Sequence, residues 1–308
     1  MREMIHESIT SRVDRLEISV MSVVPEGKIR GIVQLVHGMS EHKERYLPFM
    51  EYLADRGFVC IIHDQRGHGK SVKYESDLGY MYGGGAEAYI ADLLLINETA
   101  RERYPGKPLI LFGHSMGSLG VRVFAKRHPN CLDGLIVCGS PCKNPALAAG
   151  TTLAELAKDL FGNRHRCKLI ESLSFGPYAM RFPKERNRFS WVCSDPQVVK
   201  DYADSPLCGV TFSADAYLVL FALMKETYDL EGWEAEHPHM PILFIGGAED
   251  PCIGGRKKFA QAIHTMHRAG YENVKGRLYP GMRHEILNEP QKEKVYQEIV
   301  GYLGKQGF

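Results

Sequence analysis

The segment at 109–117, Leu-Ile-Leu-Phe-Gly-His-Ser-Met-Gly, places a serine where a polypeptide can turn a hydroxyl into a nucleophile. Its four leading apolar residues predict a buried strand, and 118–128 has a helical pattern with no proline until Pro129. A strand, a sharp Gly-x-Ser-x-Gly turn and a helix together form a nucleophile elbow. The glycines let neighbouring backbone pass close to the turn, and the helix N-terminus favours an oxyanion beside the serine. We predict that Ser115 is the catalytic nucleophile, the alternative being a glycine-rich turn with a bystander serine.

A serine hydroxyl needs a histidine to take its proton and an acid to orient that histidine. Proteins with this elbow carry the three residues in the chain order serine, acid, histidine. We predict that Asp250, in a glycine-rich turn after an apolar run, is the acid and that His284, between the last predicted strand and helix, is the base. Glu249 is the rival acid, but a shift by one residue would turn its side chain away. The two histidines of a predicted helix at 255–269 are expected to be surface or packing residues.

Backbone N–H groups are predicted to hold the oxyanion that forms on the attacked carbonyl. The N–H of Met116 is one donor, because this residue follows the nucleophile and begins the helix. The second donor in such sites comes from the loop after an early strand. That loop is His-Gly-Met-Ser-Glu-His at 37–42, so Met39 is the candidate.

The segment at 64–71, Asp-Gln-Arg-Gly-His-Gly-Lys-Ser, contains the glycines and cations that bind phosphate in other proteins. It lacks the Gly-x-x-x-x-Gly-Lys-Ser/Thr spacing of a phosphate-binding loop. We therefore predict a structural loop, braced by a network between Asp64 and Arg66.

The apolar pattern of the whole chain predicts alternating strands and helices that would position these residues. Predicted strands occupy 12–24, 31–37, 58–63, 109–112, 132–138, 241–245 and 274–279, and predicted helices occupy 46–56, 87–104, 118–128, 147–161, 214–227, 255–269 and 291–302. Strands that are apolar throughout and separated by helices indicate a mostly parallel sheet covered on both faces. The sequence thus predicts the α/β class, with a single domain over 1–308.

The strand–helix alternation is interrupted over 143–235, where helical pieces and scattered prolines replace strand-like runs. We predict a helical cap inserted there, above the carboxyl ends of the strands where open α/β sheets bind ligands. The apolar segment at 216–224 could line an acyl tunnel, rest on a lipid surface or pack on the core. A basic stretch at 181–188 argues against a substrate with a free amine.

Composition excludes several classes of partner. The formal net charge of the 308 residues is only +1, which argues against nucleic acid and against electrostatic binding to anionic membranes. The start of the chain lacks the apolar run of a signal peptide, and no segment approaches the ~18 apolar residues of a membrane span. We expect a cytoplasmic protein whose eight cysteines are reduced. No metal and no organic cofactor is expected, because no Cys-x-x-Cys pair or metal-like cluster occurs.

Five motifs of this chain resemble the monoacylglycerol lipase and lysophospholipase branch of the α/β-hydrolases. They stand in family order at 37–42, 64–71, 113–117, 247–251 and 283–289. The resemblance implies an α/β-hydrolase fold and a helical cap similar to those of bacterial relatives. It also implies a triad and two oxyanion donors at the positions already singled out, namely Ser115, Asp250, His284, Met39 and Met116.

The function expected from these residues is hydrolysis of a carboxylic ester through an acyl-enzyme, with a small-molecule ester or lipid monoester as substrate. An aminopeptidase or amidase, or a thioesterase, could use the same triad. A non-catalytic binding protein is disfavoured because no triad member is missing, and a dehalogenase because its nucleophile would be an aspartate. Transient contact of the cap with a membrane surface and the oligomeric state are left open by the sequence.

Overall fold

A computed structural model describes residues 2–308 and contains one eight-stranded sheet. The strands are β1 (Glu3–Thr10), β2 (Glu17–Val24), β3 (Gly31–Val36), β4 (Phe58–His63), β5 (Leu109–His114), β6 (Gly134–Cys138), β7 (Ile242–Gly247) and β8 (Val274–Tyr279). The helices are α1 (Leu47–Ala54), α2 (Gly85–Arg103), α3 (Met116–Arg127), α4 (Leu147–Phe161), α5 (Lys168–Ala179), α6 (Pro196–Asp204), α7 (Ala214–Tyr228), α8 (Gly255–Arg268) and α9 (Lys292–Lys305).

The strand order brings the predicted site residues to one edge of the sheet. The order is β1-β2-β4-β3-β5-β6-β7-β8, with β1 and β2 antiparallel to their neighbours and all other pairs parallel. The carboxyl ends of parallel strands meet at the same edge. The loops after β3, β5, β7 and β8, which carry Met39, Ser115, Asp250 and His284, therefore lie side by side.

Helices cover both faces of the sheet and divide the core into two layers. α1 and α9 pack on one face through residues such as Phe49 and Tyr296. α2, α3 and α8 pack on the other face through residues such as Leu93, Phe124 and Met266. α4 to α7 follow β6, and α7 packs on α2 and α3. Across residues 2–308, no helix combines the length and apolarity that a bilayer span requires.

The prediction of an α/β fold with a mostly parallel, doubly covered sheet is confirmed. The predicted strand at 12–24 is wrong at its start, because β2 begins only at Glu17 and a separate strand, β1, precedes it. β1 lies at the sheet edge and consists mostly of polar, largely accessible residues, so it lacks the apolar run of an inner strand. Helices α5 and α6 were also absent from the predicted elements.

The loop at 64–71 is structural, but the predicted network between Asp64 and Arg66 is wrong. Asp64 instead accepts hydrogen bonds from the backbone N–H of Lys43 at 2.8 Å and from its Nζ at 2.6 Å. Arg66 donates from Nε to Asp92 of α2 at 2.8 Å. The two side chains are both buried and each binds a partner from another part of the fold. The loop thus ties β4 to the segment before α1 and to α2.

The cysteines of this chain are free thiols, and most of them are buried. Burial raises the pKa of Cys60 and of Cys138 well above the ordinary thiol value, so both stay protonated. A protonated thiol in an apolar setting behaves as a small hydrophobic residue. These two cysteines fill the core on the α1 and α9 face.

Candidate active site

Ser115 stands at a strained turn between β5 and α3. Its φ and ψ are 52° and −119°, a combination that non-glycine residues rarely adopt and that neighbouring packing must hold in place. Gly117, two residues on, shows how tight that packing is. A Cβ at Gly117 would lie 2.2 Å from the carbonyl oxygen of Val36, so the residue must be glycine for α3 to approach β3. The elbow therefore has the strand, turn and helix that its sequence predicts.

Asp250 and His284 meet as a buried hydrogen-bonded pair. Asp250 lies after β7 and His284 after β8, and Nδ1 of His284 is 2.9 Å from Oδ2 of Asp250. The other carboxylate oxygen, Oδ1, accepts the backbone N–H of Cys252 at 2.8 Å. An ionised carboxylate at Nδ1 holds the proton on that nitrogen, which leaves Nε2 as the basic atom. Glu249 is exposed, in contrast to the buried Asp250.

The loop after β3 passes directly against the serine. A Cβ at Gly38 would lie only 3.0 Å from Cβ of Ser115. Met39 follows in this loop and is half-buried, while Met116 begins α3 and is buried. Both methionines line the same cavity as Ser115. The N–H groups predicted to hold an oxyanion thus lie on the two segments that flank the serine.

Glu41 organises this loop and was missed as a functional residue by the sequence analysis. Its Oε1 accepts the backbone N–H of Gly38 at 2.5 Å and the hydroxyl of Tyr46 at 2.9 Å. The same oxygen is 3.1 Å from Nδ1 of His114, the residue before the serine. The signal available in the sequence was a glutamate inside the loop motif at 37–42, but its partner His114 lies 73 residues away along the chain.

Although Glu41 and His114 are buried, their surroundings favour the charged form of each. Burial by itself would raise the pKa of Glu41, but His114 and Arg45 outweigh this effect and hold it well below its usual value. Burial by itself would lower the pKa of His114, but the hydrogen bond and charge of Glu41 outweigh it and raise the pKa. The other ring nitrogen of His114 is 3.3 Å from the carbonyl oxygen of His284. Through these two contacts, His114 links the loop at 37–42, the elbow and the loop that carries His284.

The ring of His284 lies between two other rings. His114 packs on it with a centroid separation of 4.6 Å, and Trp191 packs on it at 4.9 Å. Trp191 belongs to the segment between α5 and α6, and the sequence analysis did not single it out. These contacts, together with the carboxylate of Asp250, restrict the orientation of the imidazole.

A cavity of about 560 Å³ opens onto Ser115 and His284. Its apolar walls come from α5 and α7, with Phe175, Tyr178, Leu220, Phe221 and Met224 among them. Other residues of α7, such as Ala216 and Tyr217, are buried in the core. One side of the segment at 216–224 therefore packs on the core, as one of its predicted alternatives had it, while the other side faces the cavity.

The side chains with metal-ligand spacing in residues 2–308 belong to this same site. Ligand atoms of Asp250, Cys252 and His284 lie within 4.8 Å of one another. Asp250 and His284 already use these atoms in their mutual hydrogen bond. Burial raises the pKa of the Cys252 thiol well above its ordinary value, which keeps it protonated and opposes metal coordination. The arrangement suits acid–base chemistry better than metal binding.

Comparisons with known proteins identify the family of this chain. The family model described as Serine aminopeptidase, S33 (Hydrolase_4) matches residues 27–291. A monoacylglycerol lipase of Mycolicibacterium smegmatis is 26% identical over 91% of this chain and 90% of its own length. The monoglyceride lipase of Homo sapiens is 27% identical over 89% of this chain and 82% of its own length.

Solved structures are similar over almost the whole chain. A thermostable carboxyl esterase from Bacillus coagulans, solved with glycerol, superposes with a TM-score of 0.90 at 28% identity and covers 99% of both chains. A monoglyceride lipase of Saccharomyces cerevisiae has the same fold, with a TM-score of 0.75 at 19% identity. The family match covers the elbow, the acid and the histidine together. This chain therefore belongs to the α/β-hydrolase family described as Serine aminopeptidase, S33, on the branch that contains its monoacylglycerol lipase relatives.

Proposed function

We propose that this chain hydrolyses the ester bond of a lipid monoester, of the monoacylglycerol class, through an acyl-enzyme on Ser115. The observation that carries the proposal is the position of Ser115 and the Asp250–His284 pair at a cavity with apolar walls. The cavity volume of about 560 Å³ lies within the range of small-molecule sites and could hold an acyl chain. The names of the relatives, lipases of monoacylglycerol among them, support the same substrate class.

The reaction would proceed in two acyl-transfer steps. Oγ of Ser115 attacks the ester carbonyl while Nε2 of His284 takes its proton, and Asp250 stabilises the imidazolium. The N–H groups of Met39 and Met116 hold the oxyanion, a contribution of about 10²–10³ in rate for each donor. His284 then gives the proton to the leaving alcohol. A water deprotonated by His284 attacks the acyl-enzyme, and the acid leaves as Ser115 is reprotonated.

The insertion at 143–235 would act as the cap of this site and as its contact with lipid. α4 and α5 expose large apolar side chains, with Leu160 at 72% and Leu173 at 65% of their full accessibility. Apolar side chains that cluster on the surface are typical of sites that meet a membrane or a partner. Because α5 also lines the cavity through Phe175 and Tyr178, a lipid surface at the cap would lie close to the acyl-binding space.

An aminopeptidase is the second candidate, since the description of the matched family names that activity. Such an enzyme needs a carboxylate free to bind the substrate ammonium group. Glu41 and Glu285 at the cavity are both bound to Arg45. Glu171 accepts the hydroxyl of Thr211 at 2.7 Å and lies 3.8 Å from Arg188. These pairings favour a neutral substrate over an amine.

The test is a turnover panel on the purified protein and on Ser115→Ala. The panel holds p-nitrophenyl esters from acetate to palmitate, a monoacylglycerol, a lysophosphatidylcholine, an acyl thioester and an aminoacyl-nitroanilide. We expect turnover of the monoacylglycerol and the longer esters, lost in Ser115→Ala. Short esters alone would indicate a general carboxylesterase, and the thioester alone a thioesterase. Activity on the anilide alone would indicate a peptidase instead of a lipase. Undiminished turnover by Ser115→Ala would contradict the assignment of the triad.

A further inference from the structure

The side chain of Arg283, next to His284, is directed away from the cavity and into the segment between α5 and α6. This segment, 182–194, includes most of the basic stretch that the sequence analysis noted. Arg283 is only 12% exposed and forms a two-pronged ion pair with Glu185, in which Nη1 is 2.7 Å from Oε2. It also donates from Nη1 to the carbonyl oxygens of Ser190, at 2.5 Å, and Cys193, at 3.1 Å.

The guanidinium of Arg283 also packs against an aromatic ring, that of Phe182. Its central carbon lies 3.8 Å from the ring centroid of Phe182, the geometry of a cation–π contact. A fork that binds a carboxylate, two carbonyls and a ring at once restricts both the arginine and the segment. Lysine could supply the charge but not this geometry.

The backbone of the histidine loop adds a second line of contacts to the same segment. The N–H of Glu285 donates to the carbonyl oxygen of Val192 at 2.8 Å, and the N–H of His284 donates to that of Trp191 at 3.4 Å. Buried Glu289 accepts the backbone N–H of Arg283 at 2.7 Å and that of Ser194 at 3.1 Å. Hydrogen bonds therefore connect segment 182–194 with the histidine loop at several points from Arg283 to Glu289.

The part of the segment that meets the proposed base is Trp191. Its indole packs on the ring of His284 at a centroid separation of 4.9 Å. The indole also stacks on the ring of Phe175, with a centroid separation of 5.9 Å, and contacts the ring of Tyr178 at 5.2 Å. Both residues belong to α5 and line the cavity. The position of Trp191 is thus shared between the cavity wall and His284.

We propose that Arg283 is a positioning residue, which fastens segment 182–194 to the histidine loop so that Trp191 holds the His284 ring in its working orientation. The inference rests on the proposed function, because it assigns a task to Arg283 only if His284 is the base. His284 lies on a loop, where the hydrogen bond to Asp250, the ring of His114 and the indole of Trp191 hold its imidazole, so loss of the indole contact leaves the ring freer to tilt about that bond. A tilt moves Nε2 away from the serine, and misplacement by about 1 Å can cost 10²-fold in rate.

The test compares Arg283→Met with a matched control, Arg277→Met. Arg277 of β8 also forms an ion pair, with Glu298 at 2.7 Å, and lies over an aromatic ring, Tyr279, but it is half-exposed and touches no part of the segment. Competent sites are counted by stoichiometric release of nitrophenol from paraoxon, and turnover of p-nitrophenyl butyrate is expressed per titrated site. This correction removes any loss that comes from unfolded protein.

We expect kcat per titrated site to fall about 10²-fold in Arg283→Met, and KM to change by a smaller factor, because Arg283 itself does not line the cavity although Trp191 does. The kcat per titrated site of Arg283→Lys and of Glu185→Gln should lie between the values of Arg283→Met and the wild type. The kcat per titrated site of Arg277→Met should equal that of the wild type. In a Trp233→Phe background Trp191 is the remaining tryptophan, and its emission should shift to longer wavelength in Arg283→Met as the indole loses its packing.

A kcat per titrated site in Arg283→Met equal to that of Arg277→Met would overturn the inference, as would a loss of kcat with no change in Trp191 emission. If Arg283→Met does not fold, wild-type kcat in both Arg283→Lys and Glu185→Gln would overturn it. Ser115→Ala is run beside these variants. Turnover that persists in Ser115→Ala contradicts the proposed function, whereas an inactive Ser115→Ala with an unaffected Arg283→Met contradicts the positioning role alone.

Discussion

The carboxyl edge of the sheet and the insertion above it are built in opposite ways. At the sheet edge, polar side chains such as Asp250 and Glu41 are almost completely buried. Their carboxylate oxygens form hydrogen bonds with neighbouring groups. In the insertion, α4 and α5 leave leucines such as Leu160 and Leu173 largely exposed to solvent. The sheet edge buries polar groups, whereas α4 and α5 of the insertion expose apolar groups.

This difference separates two tasks of the molecule. Buried, fully paired polar groups hold one geometry, which acyl transfer requires. Exposed apolar groups stabilise the protein only when they become buried against another surface, which suits contact with substrate or lipid. Trp191 and Arg283 lie at the junction of the two regions and contact both. Variants on each side should therefore affect different measurements.

The largest effect is expected at the sheet edge, from Asp250→Asn. An amide at this position can bind His284 in the wrong tautomer, so kcat should fall about 10⁴-fold while the fold is kept. The neighbouring variant Glu249→Gln is the matched control, because the side chain of Glu249 is exposed. Turnover of p-nitrophenyl butyrate measures both. Equal losses in the two variants would contradict the assignment of the acid.

A second effect concerns the stability of the core in acid. Burial, with help from the charge of Lys43, lowers the pKa of His63 from 6.5 to about 3. Between these values the unfolded chain binds a proton that the folded chain does not, so stability is lost as the pH falls through this window. The expected slope is about 1.4 kcal/mol per pH unit for this group.

His63→Phe isolates this contribution, since Nδ1 of His63 has no hydrogen-bond partner within residues 2–308. The free energy of unfolding, measured by urea denaturation between pH 4 and 6, should depend on pH less steeply in the variant by about one proton. His239→Asn, at a side chain that is 84% exposed, serves as the control and should keep the wild-type slope. An unchanged slope in His63→Phe would show that this histidine is not held neutral.

The smallest effect on the soluble reaction is expected in the insertion. Leu169 and Leu173 of α5 are 61% and 65% exposed, and changing both to serine removes apolar surface without opening the core. Turnover of p-nitrophenyl butyrate should stay within about twofold, whereas turnover of a monoacylglycerol in phosphatidylcholine vesicles should fall about tenfold. Val13→Ser changes an exposed residue outside the insertion and should affect neither. Equal losses on both substrates would contradict a role in lipid contact.

The inner part of the fold could be predicted because burial leaves a direct mark on the sequence. β4, which is buried along its whole length between β2 and β3, has the predicted bounds and is bordered by Gly57 and Asp64, residues that favour turns. β1 was not predicted because an edge strand with accessible faces carries no continuous apolar run. α5 was not predicted because it contains Gly176 and Pro177 and exposes its leucines.

The residues of the candidate site also differ in whether a local sequence signal could predict them. Ser115 could be predicted from a local motif, and Asp250 and His284 from their places after strands, because each of these signals lies within a few residues. The roles of Glu41 and Arg283 could not be predicted. Glu41 binds His114 across 73 residues of chain, and Arg283 binds Glu185 across 98. Such pairings depend on how segments meet in space, which no local pattern records.

The most direct test is to find which atom of the protein acts as the nucleophile, by the phosphonyl group that it acquires when it displaces fluoride from a fluorophosphonate. The protein is reacted with an alkyl fluorophosphonate, digested, and the modified peptide is located by mass spectrometry, with His284→Ala as the second sample. We expect one adduct, on the hydroxyl of Ser115, formed rapidly in the wild type and very slowly in His284→Ala. An adduct on another residue, or equal labelling of Ser115 in the two proteins, would contradict the account.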